Sequence, residues 1–217
     1  SDGTRAEMCG NGIRCVAKFV YDHKMISSEN ITIESMGKIK YITVFPSVDN
    51  KVEAVSVDMG EPILESGLIP VAASDLSKPV IDVPINVNGT DYKMTCVSMG
   101  NPHAVIFEDP DNLDLEHIGP FFENHTCFPN RTNTEFVKVI DDSNVRMRVW
   151  ERGAGETLAC GTGCCATAVA CVLNNLTGRD VNVHLLGGVI NVKWDEKTNH
   201  ILMTGPATKV FEGTIEY

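Results

Sequence analysis

The sequence has no apolar run long enough to cross a bilayer. Its longest nearly apolar stretch, residues 158–173, is interrupted by two glycines and two threonines and falls short of the roughly 20 residues a spanning helix needs. It also lacks any cluster of lysine and arginine. With 18 basic against 29 acidic side chains and a formal charge of -11, no phosphate-tracking surface is available, which excludes nucleic acid as an expected partner. An initiator methionine and an apolar signal core are missing from the polar opening Ser1-Asp2-Gly3-Thr4-Arg5, so export is not expected. None of the eight cysteines forms a Cys-x-x-Cys knuckle; Cys160, Cys164 and Cys165 lie close together, but without a second pair they do not suggest zinc, and no metal is expected.

What is present suits a folded protein of 217 residues, 43% hydrophobic and 22% charged, large enough for a substantial core. The negative charge would slow an anionic substrate unless the pocket holds a local cation. The cysteines are Cys9, Cys15, Cys96, Cys127, Cys160, Cys164, Cys165 and Cys171. The last four share one apolar segment, and thiols so placed behave as small buried hydrophobes rather than as a disulfide framework. Cys15, Cys164, Cys165 and Cys171 are therefore read as core thiols, and a reducing cytoplasm as the compartment.

Apolar periodicity predicts a helix over residues 8–21, then short strands at 31–33, 40–44 and 55–58. The turn signal Met59-Gly60-Glu61-Pro62 marks a domain boundary. Strands are expected at 80–87, 93–97, 104–107, 134–140 and 144–150, with a turn at Asn88-Gly89 and a short helix over 114–124. Residues 163–173 read as a helix apolar nearly all round, which needs strands to wrap it. Further strands are expected at 181–184, 189–192 and 201–204, and residues 207–215 close the chain.

An internal repeat carries the chemistry. Met8-Cys9-Gly10-Asn11-Gly12 matches Ala159-Cys160-Gly161-Thr162-Gly163, and each copy leads into an apolar helix with Ala17 and Ala168 in register. A Cys at a helix start is where backbone N–H groups and the helix dipole lower a thiol pKa. Two such starts related by a pseudo-two-fold axis would set the thiols face to face across a domain junction. A carbon between them could lose a proton to one sulfur and regain one from the other, with inversion; the thiols would titrate as a coupled pair. The N–H groups of Gly10, Asn11, Gly161 and Thr162 suit the charge that builds on the substrate carboxylate, so no cofactor is required.

Met8-Cys9-Gly10-Asn11-Gly12-Ile13-Arg14-Cys15, Gly100-Asn101-Pro102-His103 and Glu151-Arg152-Gly153-Ala154-Gly155-Glu156-Thr157 running to Cys160-Gly161-Thr162-Gly163 resemble the motifs of the diaminopimelate epimerase family in order and spacing. The closing Gly205-Pro206-Ala207 and Val210-Phe211-Glu212-Gly213 fit too, so the resemblance runs from end to end. It implies an α+β fold of two pseudo-symmetric domains, each a barrel-like sheet around a central buried helix. Residues 1–57 with 206–217 would form the first domain and 58–205 the second. The implied reaction converts LL-2,6-diaminopimelate to its meso isomer for lysine and peptidoglycan precursors, without pyridoxal phosphate. Cys9 and Cys160 would be the acid/base thiols, and Arg152 would pair with the distal carboxylate through its guanidinium fork. Asn101 and Asn133 would hold the distal amino-acid end, while His103 and Glu151 would line the same pocket. The implied partner is the small amino acid alone, with room for a homodimer. Members of the family begin with a further strand-rich segment bearing a Gly-Asn-Asp-Phe motif, so the first domain is expected to be incomplete at its N-terminus.

Two other readings stand beside this one. Proline racemases and hydroxyproline epimerases also pair thiols, but usually carry His where this chain has Asn11, and a cyclic substrate has no distal end for Arg152. The non-enzyme reading is a thiol-rich redox or binding protein in which Cys9 and Cys160 form a reversible disulfide.

Overall fold

The computed structural model describes residues 10–35 and 37–215; Cys9, central to the reading above, lies outside the described residues. Helix α1 (Gly10–Asp22) leads to β1 (Asn30–Ser35), β2 (Lys38–Pro46) and β3 (Val52–Asp58). Next come β4 (Val83–Val87), β5 (Thr90–Ser98), β6 (Pro102–Ile106), α2 (Leu115–Glu123), β7 (Asn133–Asp141), β8 (Asn144–Glu151) and β9 (Gly155–Thr157). The chain continues through α3 (Gly161–Leu173), β10 (Asp180–Leu185), β11 (Gly188–Trp194) and β12 (Ile201–Pro206). Among the described residues the fold is mixed α+β, one large sheet in the order β1-β2-β3-β12-β11-β10-β8-β7-β6-β5-β4, with β9 paired to β8. Paired strands run antiparallel except β10 with β8 and β6 with β7. No described helix is long and apolar enough to cross a membrane.

Local chemistry accounts for most boundaries. Asn88 and Gly89 take φ of 50° and 83°, the left-handed pair that closes a tight hairpin between β4 and β5. The strand expected from residue 80 starts only at Val83, because Asp82 sits at φ 52° and breaks the extended run. Asp114 caps α2 by accepting from the His117 N–H. Strand β9 was not foreseen: three residues beginning at a left-handed Gly155 are too few to show a period of two.

Alternation along β5, β6 and β7 divides the core between the two faces of the sheet. Val97, Val105 and Val137 join the larger cluster with α1, β2, β3, β8, β10, β11, β12 and α3. Cys96, Ala104 and Phe136 turn the other way and pack with Leu115 and Phe122 of α2, where the Phe122 and Phe136 rings meet edge to face at 5.2 Å. Helix α3 is buried from Gly161 to Cys171 and packs against β5, β6, β7, β10, β11 and β12, as its all-round apolar sequence requires. Strand β12 pairs with both β11 and β3, so the sheet runs on past residue 58. On α1 the buried face is Ile13, Ala17 and Tyr21. Cys15, two positions from Ile13 and so on the opposite side of the helix, is exposed and is not the core thiol expected; Cys164, Cys165 and Cys171 are buried.

Gly119 of α2 packs against the Trp150 indole, and an added Cβ would stand only 2.2 Å from its nearest ring atom. Gly119→Ala, which raises helix propensity, is therefore expected to destabilise the protein by about 2 kcal/mol through overpacking. Urea unfolding measures this, and an unchanged or raised midpoint would contradict the packing described.

Candidate active site

The second half of the repeat begins α3. Cys160 is its N-cap, with φ -126° and ψ 110°, and its Sγ accepts from the Gly163 N–H at 3.4 Å. The Thr162 hydroxyl stands 3.6 Å from the same sulfur. Gly163 has to be glycine here. A Cβ on it would lie 2.7 Å from Glu135 Oε1 and 3.3 Å from Cys160 Sγ, so its bare backbone lets a carboxyl group and a thiol share the first turn.

The first half of the repeat meets the second at this point. A Cβ placed on Gly161 would stand 3.5 Å from the Gly10 Cα, and one on Gly10 would stand 3.7 Å from the Gly161 Cα. The two helix starts abut through bare glycines, with the Met203 side chain of β12 packed against both. Arg14, buried in α1, ties this junction together. Its Nη1 donates to Gly10 O at 3.3 Å, its Nη2 to Asn11 Oδ1 at 3.0 Å and its Nε to Pro206 O at 3.3 Å. The side chain of Asn11 is thus engaged within its own helix.

Sheet parity supplies the remaining groups. In the parallel register of β6 and β7, His103 pairs with Asn133 and Val105 with Glu135, so all four residues face α3. Glu135 pairs with Val149, and Glu151, two residues on, shares that face. A hydrogen-bonded line results. Asn101 Nδ2 donates to Thr162 Oγ1 at 3.2 Å, Asn101 Oδ1 is 3.1 Å from His103 Nε2, and His103 Nδ1 is 2.6 Å from Glu135 Oε1. Glu151 accepts from the Thr157 hydroxyl. Asn133 is used as a clasp, its Nδ2 donating to Pro102 O and its Oδ1 accepting from the Arg152 N–H, both at 2.9 Å. Arg152 is half-buried as a residue, and its guanidinium donates to Asn130 O at 3.1 Å in an exposed bond.

One expectation is reversed. The helix start does not acidify Cys160: burial pushes its thiol pKa well up, Glu151 and an ionised Glu135 carboxylate would add to the rise, and the Thr162 hydroxyl and Gly163 N–H only oppose it. Burial also raises the Glu135 carboxyl, against the pull of His103. A single helix terminus does not offset removal of a sulfur anion from water.

Two residues that the sequence reading passed over help build the site. Glu135 sits one strand period beyond Asn133, a spacing that would have placed it on the same face. Glu123 of α2 accepts from Trp150 Nε1 at 2.7 Å, Arg131 Nη1 at 2.9 Å and the Gly153 N–H at 3.0 Å, and so holds the turn that carries Arg152. No sequence pattern marked it. Among the described residues no group of three metal-ligating side chains comes together. A wide groove of about 660 Å³ opens between α1 and residues 207–212, lined by Lys18, Asp22, Lys51 and Lys209, and does not include Cys160.

The model of the diaminopimelate epimerase family matches residues 1–65 and 95–210. The chain is 54% identical to the diaminopimelate epimerase of Agathobacter rectalis, covering 100% of this chain and 78% of that protein. It is 56% identical to that of Methanococcus maripaludis, covering 100% and 77%. Among solved structures, a probable proline racemase from Agrobacterium radiobacter superposes with a TM-score of 0.70 at 13% identity, covering 95% of this chain and 67% of that one. A hydroxyproline epimerase from Agrobacterium vitis gives 0.68, also at 13% identity, covering 95% and 65%. At these identities the structural likeness concerns the fold alone.

Removal of the Glu123 carboxylate leaves the Trp150 and Gly153 donors without their acceptor. Glu123→Ala is expected to cost on the order of 3 kcal/mol and to change the emission of Trp150. Unfolding followed by tryptophan fluorescence tests both, and a variant as stable as the parent would remove Glu123 from its anchoring role.

Proposed function

The chain belongs to the diaminopimelate epimerase family, and on that premise we propose that it inverts one α-carbon of LL-diaminopimelate to give the meso isomer, with Cys9 and Cys160 as the proton carriers. The observation that carries this reading is the meeting of the two glycine-flanked helix starts, where a Cβ on Gly161 would stand 3.5 Å from the Gly10 Cα. Cys9 is bonded to Gly10 and Cys160 to Gly161, so both sulfurs belong to residues joined directly to that junction.

The inversion needs one sulfur with its proton and one without. Burial favours the neutral thiol at Cys160, which assigns the resting proton to that side and the base to Cys9. The thiolate removes the α-proton from one face of the carbon, and the thiol supplies a proton to the opposite face. In the reverse direction the roles exchange. As the proton leaves, negative charge grows on the α-carboxylate, and the N–H groups of Gly10, Asn11, Gly161 and Thr162 are the donors assigned to it. Arg152 takes the distal carboxylate, held in place by the Asn133 and Glu123 clasps on its own turn. Asn101 and Asn133 are assigned to the distal amino-acid end, with Asn133 acting chiefly through its clasp. His103 and Glu151 orient and tune the pair.

For the wider organisation we propose two pseudo-symmetric domains, residues 1–57 with 206–217 and residues 58–205, each a barrel-like sheet about one repeat helix. The register shared by Gly10 and Gly161 at the starts of α1 and α3 supports this. A cytoplasmic setting suits free thiols with this chemistry, and a homodimer is compatible with it.

The α-proton of diaminopimelate is expected to exchange with solvent deuterium in the presence of the reduced protein, and Cys9→Ala and Cys160→Ala are each expected to abolish inversion. Proton NMR of the substrate measures it. Full turnover in both directions with either thiol removed would refute the two-thiol scheme, and exchange into proline but not diaminopimelate would move the substrate to the cyclic class. Arg152→Lys keeps the charge but loses the planar fork, and is expected to raise KM about tenfold with a smaller change in kcat. Unchanged kinetics would take Arg152 off the distal carboxylate.

A further inference from the structure

We infer that Glu135, to which no role has been assigned above, is a positioning residue: by fixing where His103 carries its ring protons, it turns the Thr162 hydroxyl toward Cys160 Sγ as a donor and so supports the thiolate form of that cysteine. The inference rests on Cys160 being one of the two proton carriers.

The argument follows hydrogen-bond direction. A carbonyl oxygen only accepts, so Asn101 Oδ1, 3.1 Å from His103 Nε2, requires a proton on that nitrogen. The same amide then presents its NH2 to Thr162 Oγ1 at 3.2 Å. That bond occupies a lone pair of the hydroxyl and leaves its own O–H free to donate to the sulfur 3.6 Å away. At the other end, His103 Nδ1 and Glu135 Oε1 are 2.6 Å apart. With Nε2 protonated, one further proton lies between Nδ1 and Oε1. The pair is then either a carboxylic acid with a neutral imidazole or a carboxylate with an imidazolium, and in both forms its net charge is zero.

The opposite polarity is a distinct arrangement. With the Asn101 amide reversed, Nε2 would accept, Nδ1–H would donate to an ionised Glu135, and the Thr162 hydroxyl would donate to Asn101 and turn away from the sulfur. That leaves a full carboxylate charge on a group with no exposed surface and, among the described residues, with no hydrogen-bond partner for Oε2. Burial of such a charge is strongly unfavourable, and it would repel a thiolate at Cys160. The neutral pair avoids both costs. Among the described residues, the groups that act on Cys160 besides Glu135 are Glu151 of β8 and the Thr162 hydroxyl and Gly163 N–H of its own helix. Cys165 of α3 faces it in turn, His103 of β6 reaches it through Asn101, and Arg14 of α1 acts on the neighbouring Cys164 and Cys165. None of these others fixes the direction of the Thr162 hydroxyl.

The test measures kcat/KM for inversion across pH in both directions on the full chain, with E135Q, E135M, T162V and E135M/T162V. Glutamine donates to Nδ1 and keeps the polarity, so E135Q is expected to stay within about twofold of the parent. Methionine is of similar size but cannot hydrogen-bond. In the direction that needs Cys160 as base, E135M is expected to move the rising limb of the profile up by about one pH unit and to slow turnover about tenfold near neutrality. T162V is expected to do the same, and the double variant to go no further than either single one. Profiles of E135M that coincide with the parent, or shifts that add in the double variant, would overturn the inference. Independently of whether E135M folds, ring nitrogen-15 resonances of His103 in the parent protein are expected to show a protonated Nε2. A bare Nε2 would overturn the inference as well. Should C160A still invert the substrate, the fault would lie in the two-thiol reading instead; loss of inversion in C160A with unmoved Glu135 profiles would remove the inference alone.

Discussion

Two helix starts abutting through bare glycine backbone is the constraint on which the rest of the structure depends. The facing glycine Cα would stand at 3.7 Å and 3.5 Å from a Cβ added at Gly10 and at Gly161, and the Met203 side chain, at 2.8 Å and 3.1 Å from those same Cβ positions, would have to shift to admit either one, so bare backbone at both positions suits the close approach. Everything near the junction serves to hold it. Arg14 spans the first turn of α1 and the end of β12, and β12 binds β3 on one side and β11 on the other. The described starts of α1 and α3 are thereby brought to one place in space although 150 residues of sequence lie between Gly10 and Gly161.

Placing polar chemistry at the end of a fully buried helix requires that its neighbours be satisfied from within. The sheet does this by parity. The alternation that sends Val97, Val105 and Val137 into the core around α3 also sends His103, Asn133, Glu135 and Glu151 to the same face near the strand ends. Apolar residues fill the middle of the face, and polar residues take over where the strands approach the α3 N-terminus. On the opposite face, α2 anchors Trp150 and the Arg152 turn through one carboxylate, so both sides of β8 contribute to the position of a single loop.

The repeat was legible because its chemistry is local: Cys-Gly-x-Gly before an apolar helix is visible in four consecutive residues, although α3 begins at Gly161, two residues before the expected start at 163, and α1 is helical from the first described residue, Gly10. Strands were legible where alternation ran for several residues, as at Val145, Met147 and Val149. What escaped was what depends on registers between strands. Glu135 could have been placed on the site face by counting two from Asn133, but its contact with His103 follows from a parallel pairing of β6 and β7 that no local pattern announces. Glu123 acts from a helix on the far side of the sheet. Cys15 was misplaced because a cysteine on an amphipathic helix was read by type rather than by its angle from Ile13 and Ala17.

The direction of the Cys160 shift is decided by magnitudes. A helix N-terminus stabilises an adjacent anion by about 0.3–1 kcal/mol, and by about 2 in a favourable partly buried site, whereas full burial displaces a pKa by up to about 3–5 units, each worth about 1.4 kcal/mol. With Cys160 only 6% exposed, desolvation wins, and the helix start limits the rise without reversing it. For a nucleophilic cysteine that balance would be a defect. For the role proposed above, in which the sulfur holds its proton until the carbon takes it and is then left as the thiolate that serves as base in the return direction, it is useful. A thiol acidified by more donors would give up its proton too early, and one without the Gly163 N–H and the Thr162 hydroxyl would have no partner for the charge when its turn comes. The site therefore gains from being buried and polar together, which is what the start of a buried helix packed against the sheet provides.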